Sequence, residues 1–160
     1  AIFIRDRTMH QEELLQEDMT KYRAKPLRMV QEEKIDNKID PLIAVLRQLR
    51  SENKVLVAVL YGSYSKGTNH RLSDIDIGLY INTDNELDTI EVIDAVRMAI
   101  EDDTEVSILF LHDKDESPFI VQEALKGIHL VDPDIDTLYE VADWALHEAE
   151  SIRFRNGNDI

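Results

Sequence analysis

One segment, Asp74–Ile81 (DIDIGLYI), alternates strictly, and that alternation limits what the surrounding chain can become. A strand has a period of two residues. Ile75, Ile77, Leu79 and Ile81 therefore share one face, and Asp74, Asp76, Gly78 and Tyr80 share the other. The apolar face requires a core to bury it. The opposite face presents two carboxylates side by side. Upstream, Val55 to Tyr61 (VLVAVLY) is a continuous apolar run of strand length and reads as a buried strand. A chain holding both segments is built around a sheet.

The flanking patterns supply helices. Thr8 with Gln11 has capping-box spacing, so Met9 to Arg23 is expected to be helical. A second helix is expected from Pro26 to about Asp36. Asp40-Pro41 opens a helix carrying Leu42, Val45, Leu46 and Leu49 on one stripe, and Asn53-Lys54 ends it. Thr83 or Asp84 caps a helix to about Glu101, with Leu87, Ile90, Ile93 and Val96 inward. Thr104 to Leu111 reads as a third strand. Ser117-Pro118 opens a helix that stops at Gly127, read as a C′ glycine. Ile128 to Val131 is a short fourth strand. Asp132-Pro133 begins a last helix with Ile135, Leu138, Val141, Ala142, Ala145, Leu146 and Ala149 on one face.

This order specifies the α/β class, an α+β mixed sheet of about four strands with flanking helices. Residues 1–40 read as a helical N-terminal extension, 41–154 as the principal domain and 155–160 as a polar tail.

The chain has 160 residues and no cysteine, which excludes disulfides and thiolate metal sites and makes a cytoplasmic location the natural expectation. Charges begin at Arg5 and Asp6, so no secretory leader is expected, and no apolar run is long enough for a membrane span. The net charge of −15 would repel a polyanion. The densest basic group, Lys21, Arg23, Lys25 and Arg28, is flanked by acids and reads as a solvated helix face. No direct nucleic-acid binding is expected.

The chemistry concentrates between Leu60 and Ile81. A Gly62-Ser63 turn leaving a strand lets backbone N–H groups and a hydroxyl approach phosphate oxygens. Ten residues on, Asp74 and Asp76 point to one face and can hold one divalent ion. Asp-x-Asp also occurs at Asp113/Asp115 and at Asp132/Asp134/Asp136, but there it sits beside proline or turn residues, where capping and solvation explain it. Glu105, at the start of the third strand, is the candidate third carboxylate, with Asp102 and Asp103 as nearby competitors. Lys66 is either a phosphate contact or a plain surface lysine. His70 and Arg71 read as solvated loop residues. The histidines at 10, 70, 112, 129 and 147 have no zinc-ligand spacing.

The stretch GSYSKGTNHRLSDIDIGLYI resembles the nucleotidyltransferase signature of the DNA polymerase β superfamily. It is most similar to the minimal nucleotidyltransferases often paired with HEPN-domain ribonucleases. The resemblance covers roughly Lys54 to Asp132, including TEVSILFLHDKDESPFIVQEALKGIHLVD, similar to the family's third-carboxylate strand, short helix and strand. It implies a polymerase β-like nucleotidyltransferase fold. It assigns Gly62 and Ser63 to the triphosphate of ATP, Asp74 and Asp76 to Mg²⁺ or Mn²⁺, and Glu105 to a third acidic position that is usually Asp.

The implied reaction is attack of a hydroxyl on the α-phosphorus of ATP, with release of pyrophosphate. The implied role is that of an antitoxin in a hetero-oligomer with a HEPN toxin, AMP passing to a toxin tyrosine. After Asp132 little more than one helix remains to build an acceptor side, which favours a protein partner. The alternatives are a small-molecule nucleotidyltransferase resembling the aminoglycoside enzymes, and an antitoxin that only binds.

Overall fold

The computed structural model describes residues 27–158. Its elements are β1 (Arg28–Met29), two 3₁₀ turns (Val30–Glu32 and Asn37–Ile39), α1 (Asp40–Ser51), β2 (Val55–Tyr61), α2 (Gly62–Lys66), β3 (Ile75–Ile81), α3 (Glu86–Met98), β4 (Val106–Phe110), α4 (Pro118–Leu125), β5 (Ile128–His129) and α5 (Ile135–Asn158). Five strands form one mixed sheet in the order β1-β5-β2-β3-β4. β2 is antiparallel to both β3 and β5, whereas β4 runs parallel to β3 and β1 parallel to β5.

The alternation of β3 sorts the two faces. Ile75, Ile77, Leu79 and Ile81 join Leu42, Leu46, Val92 and Val96 in a core beneath α1 and α3. The other face packs Val57, Val59, Leu109 and Leu111 against Val121 and Ala124 of α4 and Leu138, Val141 and Ala145 of α5. Burying each large aliphatic side chain contributes about 1.5–3 kcal/mol, so both cores are needed to hold a sheet this small. Gly78 lies between Val59 and Leu111, where an added Cβ would meet side-chain carbons at 3.1 and 3.2 Å.

Several sequence expectations are corrected. The helix expected after Pro26 is absent over the described residues. Arg28 and Met29 instead pair with Ile128 and His129, adding a fifth strand to the expected four. Pairing satisfies backbone groups that β5 would otherwise leave open at an edge. The expected helix from Met9 to Arg23 lies outside the described residues. Asn85, not Thr83 or Asp84, caps α3, its side chain accepting from Leu87 and Asp88 N–H at 2.8 and 3.2 Å. The inward face of α3 is Val92, Ile93 and Val96, while Leu87 and Ile90 are exposed. Asp134 caps α5 by accepting from the backbone N–H and the hydroxyl of Thr137. α5 runs on to Asn158, through most of the expected tail, with Ile135 and Leu146 exposed rather than buried.

Gly127 is also explained differently. Its φ is not positive, so it is not a left-handed cap. A Cβ there would lie 2.1 Å from the Leu60 carbonyl oxygen, because β2 passes directly over it.

His129 on β5 is fully buried, and neither ring nitrogen has a hydrogen-bond partner. Burial pulls its pKa down to about 4. Charging the ring is thus harder in the folded state than in the unfolded chain. Stability should be intact above the unfolded value of about 6.5 and fall as pH drops towards 4, by on the order of 3 kcal/mol in total. Urea midpoints at pH 7.5, 6 and 5 check this. His129→Leu should flatten the loss, and an equal loss in wild type and variant would assign it to other groups.

Candidate active site

Because β2 and β3 are antiparallel, the end of one meets the start of the other. Tyr61 stands opposite Asp76, and on the other side of β3 Asp76 stands opposite Ser107 of β4. These three residues form a row across the sheet at one end of the α4/α5 face. Asp74 lies one step further out and is exposed, whereas Asp76 is half-buried.

The chain turns sharply after Tyr61. Gly62 has φ +70°, a left-handed conformation that costs a non-glycine residue roughly 1–2 kcal/mol. A Cβ on Gly62 would also lie 2.5 Å from Asp76 Oδ2. Bare backbone therefore sits directly against the carboxylate, and a Cβ here would force the Asp76 side chain aside. The expected turn is the first residue of a short helix, α2, which is closed by several bonds. The Ser65 hydroxyl donates to the Gly62 carbonyl at 2.8 Å, and the Thr68 N–H donates to the Ser63 carbonyl at 3.0 Å. Gly67 ends α2 in the left-handed region. Arg28 reaches in from β1 to donate to the Ser65 carbonyl at 2.8 Å, while also paired with Glu33. Ser63 is partly exposed, and Lys66 projects to solvent from the last turn.

Downstream, the Ser73 hydroxyl accepts from the His70 N–H at 2.9 Å and the Ser73 N–H donates to the His70 carbonyl. This closed turn delivers Asp74 to the sheet. His70 and Arg71 stay exposed.

The electrostatics are those of an unneutralised acidic pair. Burial, and then the neighbouring Asp74, push the Asp76 carboxyl above its usual range. Tyr61 is raised by burial, by Asp76 and by Glu116. Two same-face carboxylates, one of them against the bare backbone of Gly62, suit a hard divalent cation with phosphate oxygens completing its shell.

Glu105 stands beside Asp74 rather than beside Asp76. It is exposed and level with Asp74, since the Ile75 N–H donates to its carbonyl at 2.9 Å. Among the described residues no three His, Cys, Asp or Glu side chains gather into a metal-holding group, so Asp74, Asp76 and Glu105 are not brought together as one. Glu105 instead borders an open cleft of about 380 Å³ with Asp74, Arg71, Lys38, Asp102 and Asp103. Lys38 pairs with Asp102 at 2.8 Å, and this ion pair with Thr104 holds Asp102 down at about 2. Motif reading missed Tyr61 and Ser107. The parity of the two strands is the signal that could have found them, once their register is known.

The chain matches the family model described as polymerase beta, nucleotidyltransferase, over residues 44–136. No curated protein matches it. Among solved structures, one described as a toxin-antitoxin with AMP-PNP is similar at 23% identity and a TM-score of 0.55, covering 72% of this chain and 93% of that one. An MntA-HpeT toxin-antitoxin variant with a tyrosine-to-alanine change is similar at 25% identity and a TM-score of 0.53, covering 79% and 94%. A second MntA-HpeT variant, with two aspartate-to-glutamate changes, matches at 22% identity and a TM-score of 0.55, covering 73% and 93%. With more than half of its residues inside the family model, and with the signature glycine resting against the second aspartate of the Asp-x-Asp pair, the chain belongs to the polymerase beta nucleotidyltransferase family.

Proposed function

We propose that this protein is a Mg²⁺-dependent nucleotidyltransferase that moves AMP from ATP to a tyrosine hydroxyl of a HEPN-type toxin, and that it acts as that toxin's antitoxin. The observation that carries the reading is the contact between the bare backbone of Gly62 and the half-buried Asp76 within the matched signature. Asp74 and Asp76 would hold Mg²⁺ or Mn²⁺, which neutralises phosphate charge and eases loss of the acceptor proton. Gly62 leaves room for the triphosphate, the Ser63 hydroxyl faces its oxygens, and Lys66 supplies a counter-charge. The acceptor oxygen bonds to the α-phosphorus, the bond to the β-phosphate oxygen breaks, pyrophosphate leaves, and the acceptor proton passes to solvent or a base.

The partner assignment draws on the similar structures, which are described as toxin-antitoxins, and on the chain's net charge of −15, complementary to a basic RNA-cutting protein. Phe119, Ile120, Leu146 and Phe154 are exposed on α4 and α5, apolar surface suited to a protein partner.

The test is label transfer. The protein is mixed with Mg²⁺, ATP labelled at the α-phosphate and lysate of the source organism, beside an Asp74→Asn/Asp76→Asn control. A single labelled protein band, absent from the control, is expected. Label confined to small molecules would favour a small-molecule acceptor. No transfer despite a stable complex with a neighbour-encoded protein would leave an antitoxin that only binds.

A further inference from the structure

We infer that Ser107, not Glu105, fills the place beside Asp76 where a third carboxylate would stand, so that the protein carries one ion-binding place and lacks the second. The inference rests on the nucleotidyltransferase reading and on the sheet register. In the parallel pair β3–β4, Ile75 is matched with Val106 and Asp76 with Ser107. Neighbouring strands lie about 4.8 Å apart, so the Asp76 and Ser107 side chains leave the same face as immediate neighbours. Glu105 emerges two residues upstream, about 6.6 Å along the strand, beside Asp74.

The register cannot drift to bring Glu105 across. A one-residue slip would turn Val106 out of the core beneath α1 and α3 and expose the apolar side of β4. A two-residue slip would break the bond from the Ile75 N–H to the Glu105 carbonyl and uncouple all five matched pairs. Of the acids that share the cleft beside Asp74, Asp102 is committed to Lys38. A neutral hydroxyl offers a hard cation one weak oxygen and no charge, and it does not draw a proton from an acceptor at neutral pH. Asp74 and Asp76 therefore support one ion with the nucleotide, and the acceptor must lose its proton without a carboxylate from β4.

The experiment counts ions rather than turnover. The full chain with α,β-methylene ATP is titrated with Mn²⁺, and free Mn²⁺ is read by electron paramagnetic resonance. Wild type, Glu105→Gln and Ser107→Asn should each bind one Mn²⁺ per protein–nucleotide complex. Ser107→Asp should add a second, at least tenfold tighter than any weak second binding in wild type. Ser107 is exposed, so the two variants are expected to fold, and Ser107→Asn separates charge from shape. A second Mn²⁺ in wild type that disappears in Glu105→Gln would overturn the inference, as would Ser107→Asp behaving like Ser107→Asn. The Asp76→Asn control should lose the protein-dependent ion. If it binds Mn²⁺ as wild type does, the nucleotidyltransferase reading fails first and the inference with it.

Discussion

Asp76→Asn is expected to lower AMP transfer roughly a thousandfold while raising, not lowering, the melting temperature. The loss follows from removing the more buried of the two ion-holding carboxylates. The gain follows from the sign of its titration. Burial and Asp74 hold the Asp76 carboxyl above its ordinary value, so the folded state disfavours its charge. Folding is therefore penalised at pH above the folded value, and the penalty fades as pH falls through it. The stabilisation by Asn should be present at pH 7 and vanish in the acid range where the wild-type carboxyl is itself protonated. Scanning calorimetry at pH 7 and at pH 3.5 reads both parts. A melting temperature that falls together with activity would mean that Asp76 is a structural residue.

Gly127→Ala is expected to be severely damaging, costing about 3–5 kcal/mol. The added carbon would lie 2.1 Å from the Leu60 carbonyl oxygen and 3.0 Å from that of Ala124, both backbone atoms. Relief requires moving β2 or α4, and β2 is the centre of the sheet. Gly157, near the end of α5, has nothing within 4 Å of its corresponding position. Gly157→Ala should leave the urea midpoint close to wild type. If both substitutions behave alike, the close passage of β2 over Gly127 is wrong.

The parts of this fold legible in the sequence are those where one face of an element decides its type. β2, β3 and α1 follow from patterns that tertiary contacts reinforce: the apolar run 55–61, the alternation of 74–81, and the Leu42–Leu46–Leu49 stripe. Legibility failed where a partner strand made the choice. Arg28 and Met29 have no strong strand signal, and become a strand because β5 offers them backbone groups to pair with. Leu87 and Ile90 read as inward in a stripe taken in steps of three, but each such step falls about 60° short of a turn, which carries Leu87 to the side opposite Val96. The same limit governs the site. Gly62, Ser63, Asp74 and Asp76 stand in one short motif, so their proximity is readable along the chain. Whether Glu105 or Ser107 faces Asp76 depends on the register of two parallel strands, and composition carries no trace of it. Gly127 reads in the sequence as a helix-ending C′ glycine, whereas close backbone approach is what demands a glycine there.

The antiparallel pairing of β2 with β3 also bears on how the protein assembles. Tyr61, Gly62, Ser63, Asp74 and Asp76 all lie in this strand pair or in the loop that joins it. Closing the connection between two sequence-adjacent strands costs little entropy. Ser107 comes from a strand that must wait for α3 to cross over and for parallel pairing to follow, a slower and more distant event. The ion-holding half of the site is thus local in sequence, whereas the third position is joined to it only through the α3 crossover. A change on that later strand alters what the site can do without touching the strand pair that carries its first half.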